Sequence, residues 1–191
     1  MSSKEINKKE AERFNKKQSA ASRQDILKDL AIRYAKPGDS KLLLEFIKQL
    51  ADYEKRLSEV IATEQDIADV IFNRKIAEAI ITDYKGRPAG FAIFFYNFST
   101  FTGKPGLYIE DLFVNPELRG KGIGKMLFSF IARIAIDRGC SRVEWTVLTW
   151  NELSIKFYRS MGAVPKDEWV LYKLSGKALG DVAMLSKNLP I

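Results

Sequence analysis

Three observations predict an α/β domain in which helices flank a mixed, mostly antiparallel central sheet. Residues 108–114, YIEDLFV, form an apolar run interrupted by two adjacent acids, the pattern of a mostly buried strand. Asn115-Pro116 breaks that strand, because Pro116 lacks an amide hydrogen and pushes its neighbour out of helical geometry. Apolar residues then recur with helical spacing at Ile123, Met126, Leu127, Phe130, Ile131, Ile134 and Ala135. The third observation is the order of elements: strand, two helices, three strands, helix, strand, helix, strand.

Each element has its own local reason. Residues 30–35 read as a first strand ending at Lys36-Pro37-Gly38. Asp39 or Ser40 caps a helix whose inner face carries Leu42, Leu43, Phe46, Ile47 and Leu50, and residues 53–58 follow as a charged loop. Thr63-Glu64-Gln65-Asp66 is an N-cap with acids in the first turn, opening a second helix through about Phe72. Residues 77–82 and 89–98 are β-rich runs joined by a hairpin turn, and Thr102-Gly103-Lys104-Pro105-Gly106 is a second turn before the central strand. Gly139 is the C-cap of the following helix. Residues 142–148 alternate apolar and polar side chains as a strand, residues 151–160 form a short helix, and residues 169–174 form a last strand. Residues 1–29 are a polar Lys/Glu-rich extension, residues 30–175 the domain, and residues 176–191 a polar tail with an apolar cluster at Ala183-Met184-Leu185.

Composition narrows the chemistry. The chain has 191 residues, enough for one sizeable core. It contains no histidine and one cysteine, Cys140, so His-based catalysis, an intramolecular disulfide and most zinc sites are excluded, and no metal is expected. Acid–base work falls to carboxylates, Tyr, Lys or Cys140. No apolar run reaches membrane-spanning length and the N-terminus lacks a signal-peptide core, so a cytoplasmic protein is expected. The net charge of +7 suggests an anionic partner. No aromatic-and-basic strand pattern or helix–turn–helix supports nucleic acid, and neither nucleic acid nor a membrane is expected as a partner.

The organising feature is Arg119-Gly120-Lys121-Gly122-Ile123-Gly124-Lys125, set where a strand gives way to a helix. Glycines let backbone N–H groups converge on an anion without Cβ atoms in the way, and the helix N-terminus adds partial positive charge. The string is neither a Rossmann G-x-G-x-x-G nor a P-loop, and taken alone it also fits a plain tight turn.

Arg119, Gly122 and Gly124 meet the Arg/Gln-x-x-Gly-x-Gly/Ala pattern, and the stretch resembles the acetyl-CoA-binding motif of the GNAT superfamily of N-acetyltransferases. Trp150-Asn151-Glu152, Ile155, Phe157-Tyr158 and Gly162-Ala163 resemble a second signature of that superfamily. Tyr-Ile-Glu-Asp-Leu-Phe-Val at 108–114 and Leu50-Ala51-Asp52-Tyr53-Glu54 are similar to its diamine (spermidine/spermine) and thialysine branch. The resemblance implies the GNAT acyl-CoA N-acyltransferase fold and transfer of an acetyl group from acetyl-CoA to a primary amine. It implies a diamine, polyamine or lysine/thialysine-like acceptor attacking directly in a ternary complex, and a homodimer. A protein lysine or N-terminal acetyltransferase and a non-catalytic CoA-binding sensor are the competing readings.

A lysine-type amine has a pKa near ~10.4 and must lose a proton before it attacks a thioester. Glu110, mid-strand beside the glycine loop, is the expected proton acceptor, with burial raising its pKa; strand alternation puts Asp111 on the opposite face in a structural role. By resemblance Tyr158 is the general acid that protonates the leaving thiolate. The same resemblance gives Leu112, Phe113 and Val114, the loop residues Arg119, Gly120, Lys121, Gly122, Ile123, Gly124 and Lys125, and Asn151 and Ser154 to the cofactor. It gives Glu54, Glu110, Phe101 and Trp169 to the amine. Phe98-Ser99-Thr100-Phe101 stands where the polyamine branch has an acid and a tryptophan, which leans the expectation toward a smaller amine.

Overall fold

The computed structural model describes residues 26–187 and residue 189. The expectation for residues 1–25 lies outside the described residues. The chain divides into two compact units, Met1–Thr146 and Val147–Ile191.

In the first unit, five strands form one sheet in the order β1-β2-β3-β4-β5: β1 (Leu30–Tyr34), β2 (Glu78–Tyr84), β3 (Arg87–Ser99), β4 (Lys104–Val114) and β5 (Val143–Trp145). Pairing is antiparallel from β1 to β4 and parallel between β4 and β5. The β2–β3 turn has two central residues, Lys85 and Gly86, with φ of 53° and 71°. Positive φ at both is the type I′ geometry whose twist matches the flanking strands.

Helix α1 (Ser40–Tyr53) buries Leu43 and Phe46 against one face of the sheet. The Phe46 and Phe91 rings stack at 5.4 Å, and Phe113 closes the cluster at 6.3 and 6.4 Å. Ala79, Ile81 and Ile93 complete this core with Ile71. Helix α2 (Glu64–Ala68) opens with a capping box, in which Thr63 accepts the Asp66 N–H and Asp66 accepts the Thr63 N–H. It continues as a π-turn over Asp69–Asn73, which sequence periodicity reads as one helix.

Helix α3 (Ile123–Asp137) buries Ile123, Leu127, Phe128, Ile131 and Ile134. It covers the other face: a Cβ added at Gly124 would lie 3.8 Å from Val114, and the Phe128 ring meets Trp145 edge-on at 5.2 Å. Gly139 (φ 70°) ends it, with the Cys140 N–H donating to the Ala135 carbonyl as a Schellman cap. The expected strand over residues 142–148 is real only over its first half, at Val143–Trp145.

The second unit holds α4 (Glu152–Ser160) and α5 (Gly176–Met184). Residues 169–174, expected as a strand, pair with no strand; Trp169, Val170, Leu171 and Tyr172 are all exposed. Their β-branched and aromatic content suggests a strand, but β-propensity expresses packing on a sheet and no partner strand is present among the described residues. Within the segment from 176, residues Gly176–Met184 form the helix α5.

Candidate active site

The glycine loop lies between β4 and α3, as its sequence requires. Gly120 and Gly122 have φ of 76° and 85°, a region that costs other residues dearly. Gly122 is the N-cap of α3 and supplies no side-chain cap, so the first amides of the helix are left for an outside acceptor. Lys121 and Lys125 are exposed at the loop, while Ile123 is buried beneath it. Arg119 turns inward. Its Nε–H donates to the Val114 carbonyl at 3.1 Å, and its guanidinium lies 4.4 Å from the Tyr53 ring centre and 5.7 Å from that of Phe113.

That stacking brings the end of α1 to the loop. The helix closes with a Schellman arrangement: the Arg56 N–H donates to the Ala51 carbonyl, and the Lys55 N–H to Asp52. Lys55 takes the left-handed position at φ 60°, where glycine is usual. The cap fixes Glu54 half-buried, and burial raises its carboxyl pKa while Arg56 works against the rise.

The acids on β4 are arranged by a bulge. Asp111 pairs with Ile93 and Ile109 pairs with Phe94, so Glu110 is the extra residue between them. Simple alternation fails at this point. Glu110 is exposed, where burial is expected. Asp111, opposite Ile93 on the Phe46 side of the sheet, is the carboxyl pushed up, to about 7; burial is the main cause, followed by the charges of Glu110 and Glu54. Sequence reasoning assigned Asp111 a structural place. The available signal was Glu54 at the end of one helix and two consecutive acids on the neighbouring strand.

Beyond Ile109 no strand among the described residues pairs with the outer edge of β4, since β5 pairs with Leu107, Tyr108 and Ile109. Gly106 is why the paired end holds. Asn97 and Arg142 meet across it at 3.0 Å, and a Cβ there would stand 2.3 Å from the Asn97 Oδ1. Glu144 ties both, at 3.0 Å from Asn97 and 2.7 Å from Arg142. Leu112, Phe113 and Val114 therefore offer backbone along the open edge, while the Phe113 ring stays in the core. Phe101 is not brought to these groups. It sits fully exposed at the β3–β4 tip, beyond Lys104, and Lys104 itself is about 23 Å along the strand from Asp111 at ordinary strand rise.

In the second unit, Asn151 is buried and caps α4, its Oδ1 accepting the Ser154 N–H at 3.2 Å. Tyr158 is half-buried, its ring 5.2 Å from that of Phe157. The Gly162-Ala163 pair of the motif closes the helix: Gly162 has φ 88°, and the Ala163 N–H donates to the Tyr158 carbonyl. Trp169 is largely exposed.

An uncapped, cation-flanked helix start beside half-buried acids suits the transfer of a group from an anionic carrier to a cationic acceptor, and the chain is an acyltransferase. It belongs to the acetyltransferase (GNAT) family, whose profile matches residues 44–163. Among its relatives, thialysine N-epsilon-acetyltransferase of Bos taurus is 31% identical over 80% of this chain and 96% of its own length. L-ornithine N5-acetyltransferase NATA1 of Arabidopsis thaliana is 30% identical over 81% of this chain and 88% of its own. Among solved structures, an integron cassette protein of V. cholerae superposes with a TM-score of 0.69 at 29% identity, covering 81% of this chain and 98% of that one. Among the described residues no helix is long and apolar enough to cross a membrane.

Proposed function

We propose that this protein transfers the acetyl group of acetyl-CoA to a primary amine on a small molecule of ornithine-, lysine- or diamine-like character. The observation that carries the reading is the pair of half-buried carboxyls, Glu54 and Asp111, whose pKa values are both raised by burial, that of Asp111 also by the charges of Glu110 and Glu54. Negative charge held at a cost in this way favours a cationic ligand that relieves it. The names of the bovine and plant relatives, which specify thialysine and L-ornithine, agree with an acceptor of that size and charge.

In this reading the amides at Gly120–Gly124, with Lys121 and Lys125, receive the diphosphate of the cofactor, and the open edge of β4 over Leu112–Val114 receives its pantetheine arm. Glu110 and Glu54 attract the ammonium group. Asp111, titrating at about 7, is half-ionised at neutral pH and is well matched to take the proton that the amine must lose, directly or through Glu110 and water. The neutral amine then attacks the thioester carbon directly, the C–S bond breaks, the thiolate takes a proton from the Tyr158 hydroxyl, and the proton that the attacking nitrogen sheds in becoming an amide returns to the tyrosinate through water. The role of Tyr158 rests on its place in the Trp150–Ala163 signature. Trp169 supplies an aromatic surface to the acceptor in this scheme.

The test is CoA-thiol release from acetyl-CoA against ornithine, lysine, thialysine, spermidine and a basic peptide. Turnover selective for the short amino-acid amines supports the proposal. Turnover of the peptide alone, or of none of the amines, removes it.

A further inference from the structure

The cradle has a neighbour that its motif does not contain. Residues 26–29 form a helical turn leading straight into β1. A Cβ placed on Gly122 would have one heavy atom of the described residues within 4 Å, the Ile26 Cδ1 at 3.5 Å. Ile26 is half-buried there, its Cδ1 at van der Waals distance from where a side chain on the left-handed glycine that starts α3 would begin. The same turn is tied to the β2–β3 hairpin. The Lys85 N–H donates to the Asp29 carbonyl at 2.8 Å, and the Lys85 ammonium lies 3.9 Å from the Asp29 carboxylate. The hairpin in turn reaches the loop, since the Tyr84 ring lies 5.9 Å from the Lys121 ammonium and 5.6 Å from that of Lys85.

We infer that the turn at 26–29 is a positioning element for the cofactor cradle, with Ile26 as the positioning residue, and that cofactor occupancy and the seating of this turn are thermodynamically coupled. The physical argument is the one place where the loop has backbone freedom. Gly122 carries no Cβ to pack and no side-chain cap to hold its peptide planes, so the orientation of the following amides depends on what lies against it. Ile26 fills that role from outside the motif, and Asp29 with Lys85 anchors it to the sheet. An anion that draws those amides together favours the seated turn, and by reciprocity the seated turn favours the anion by the same factor.

The inference rests on the proposal that the cradle binds CoA, and the experiment separates the two. CoA binding is measured by calorimetry on the full chain and on Ile26→Ala and Ile26→Val, together with steady-state constants for acetyl-CoA and the amine. The expected result for Ile26→Ala is a roughly five- to tenfold weaker CoA affinity and a matching rise in the acetyl-CoA KM, with kcat and the amine KM unchanged and with Ile26→Val in between. Hydrogen exchange on the unmodified protein gives a second readout that needs no variant: CoA should slow exchange at residues 26–30 as well as at 122–126. Wild-type-like CoA affinity in Ile26→Ala, or exchange at 26–30 indifferent to CoA, overturns the inference and leaves the cradle standing. Absence of CoA binding by the unmodified chain overturns both.

Discussion

Arg119 is stacked on Tyr53, 4.4 Å from the ring centre, and the same side chain donates to the Val114 carbonyl. One residue of the glycine motif therefore joins the loop to the end of the central strand and to the end of the first helix. Its neighbours Lys121 and Lys125 face water; Arg119 braces.

This brace predicts that Arg119→Lys is not conservative. Lysine keeps the charge but loses the planar group that stacks and donates at once. CoA affinity should fall several-fold, and because Tyr53 adjoins Glu54 the amine KM should rise in the same variant. Calorimetry with CoA and initial rates against amine concentration check both. A variant with both constants intact would reduce Arg119 to a surface charge.

Asp111 makes a prediction in pH. Its carboxyl titrates at about 7 in the fold and near ~3.9 when unfolded, so between those values the folded chain holds the proton that the unfolded chain has lost. Its contribution to stability is therefore full below about pH 4 and is lost as pH rises through 7. Asp111→Asn should match the parent at pH 4 and exceed it by roughly 1–3 kcal/mol at pH 8, read from urea unfolding at the two values. In catalysis the same substitution should lower kcat and remove an ionisation near 7 from its pH profile. Unfolding curves whose separation does not change with pH would contradict the assignment.

Two glycines separate the cradle from the scaffold. At Gly122, with φ of 85°, alanine meets no backbone atom, so Gly122→Ala should cost about 1–2 kcal/mol of local strain and appear mainly as weaker CoA binding. At Gly90, a Cβ would stand 2.3 Å from the Phe113 carbonyl oxygen, so Gly90→Ala must push β3 from β4 and should lower Tm strongly. Thermal melts and CoA titrations on the two variants should give opposite rankings.

Lys55 holds a left-handed position that glycine fills without strain. Lys55→Gly should stabilise the fold by about 0.5–1 kcal/mol by relieving that conformation, less what the freer unfolded chain takes back. A loss of stability would mean that the Lys55 side chain holds the helix end by contacts of its own.

Much of this architecture is legible in sequence because its signals are local. The Thr63–Asp66 capping box, the Gly139 and Gly162 helix ends, the Lys85-Gly86 hairpin and the strand–loop–helix around Arg119 each depend on residues a few positions apart. Legibility fails where a pairing partner decides. The bulge at Glu110 exists because β3 and β4 are out of step there, and it exchanges the expected places of Glu110 and Asp111. Residues 169–174 have the composition of a strand but no partner strand among the described residues, and the approach of Ile26 to Gly122 joins positions far apart in the chain. Asp111 owes its raised pKa mainly to burial, then to the adjacent Glu110 and to Glu54 on another element; of these its immediate sequence carries only Glu110.

The most direct test of the central claim is a single-turnover experiment with acetyl-labelled acetyl-CoA, with ornithine or lysine as acceptor, following the label in amine and in protein. Direct transfer predicts label appearing on the amine with none on the denatured protein at any time. Label that passes first onto the protein, or that stays in acetyl-CoA whichever small amine is supplied, would contradict it.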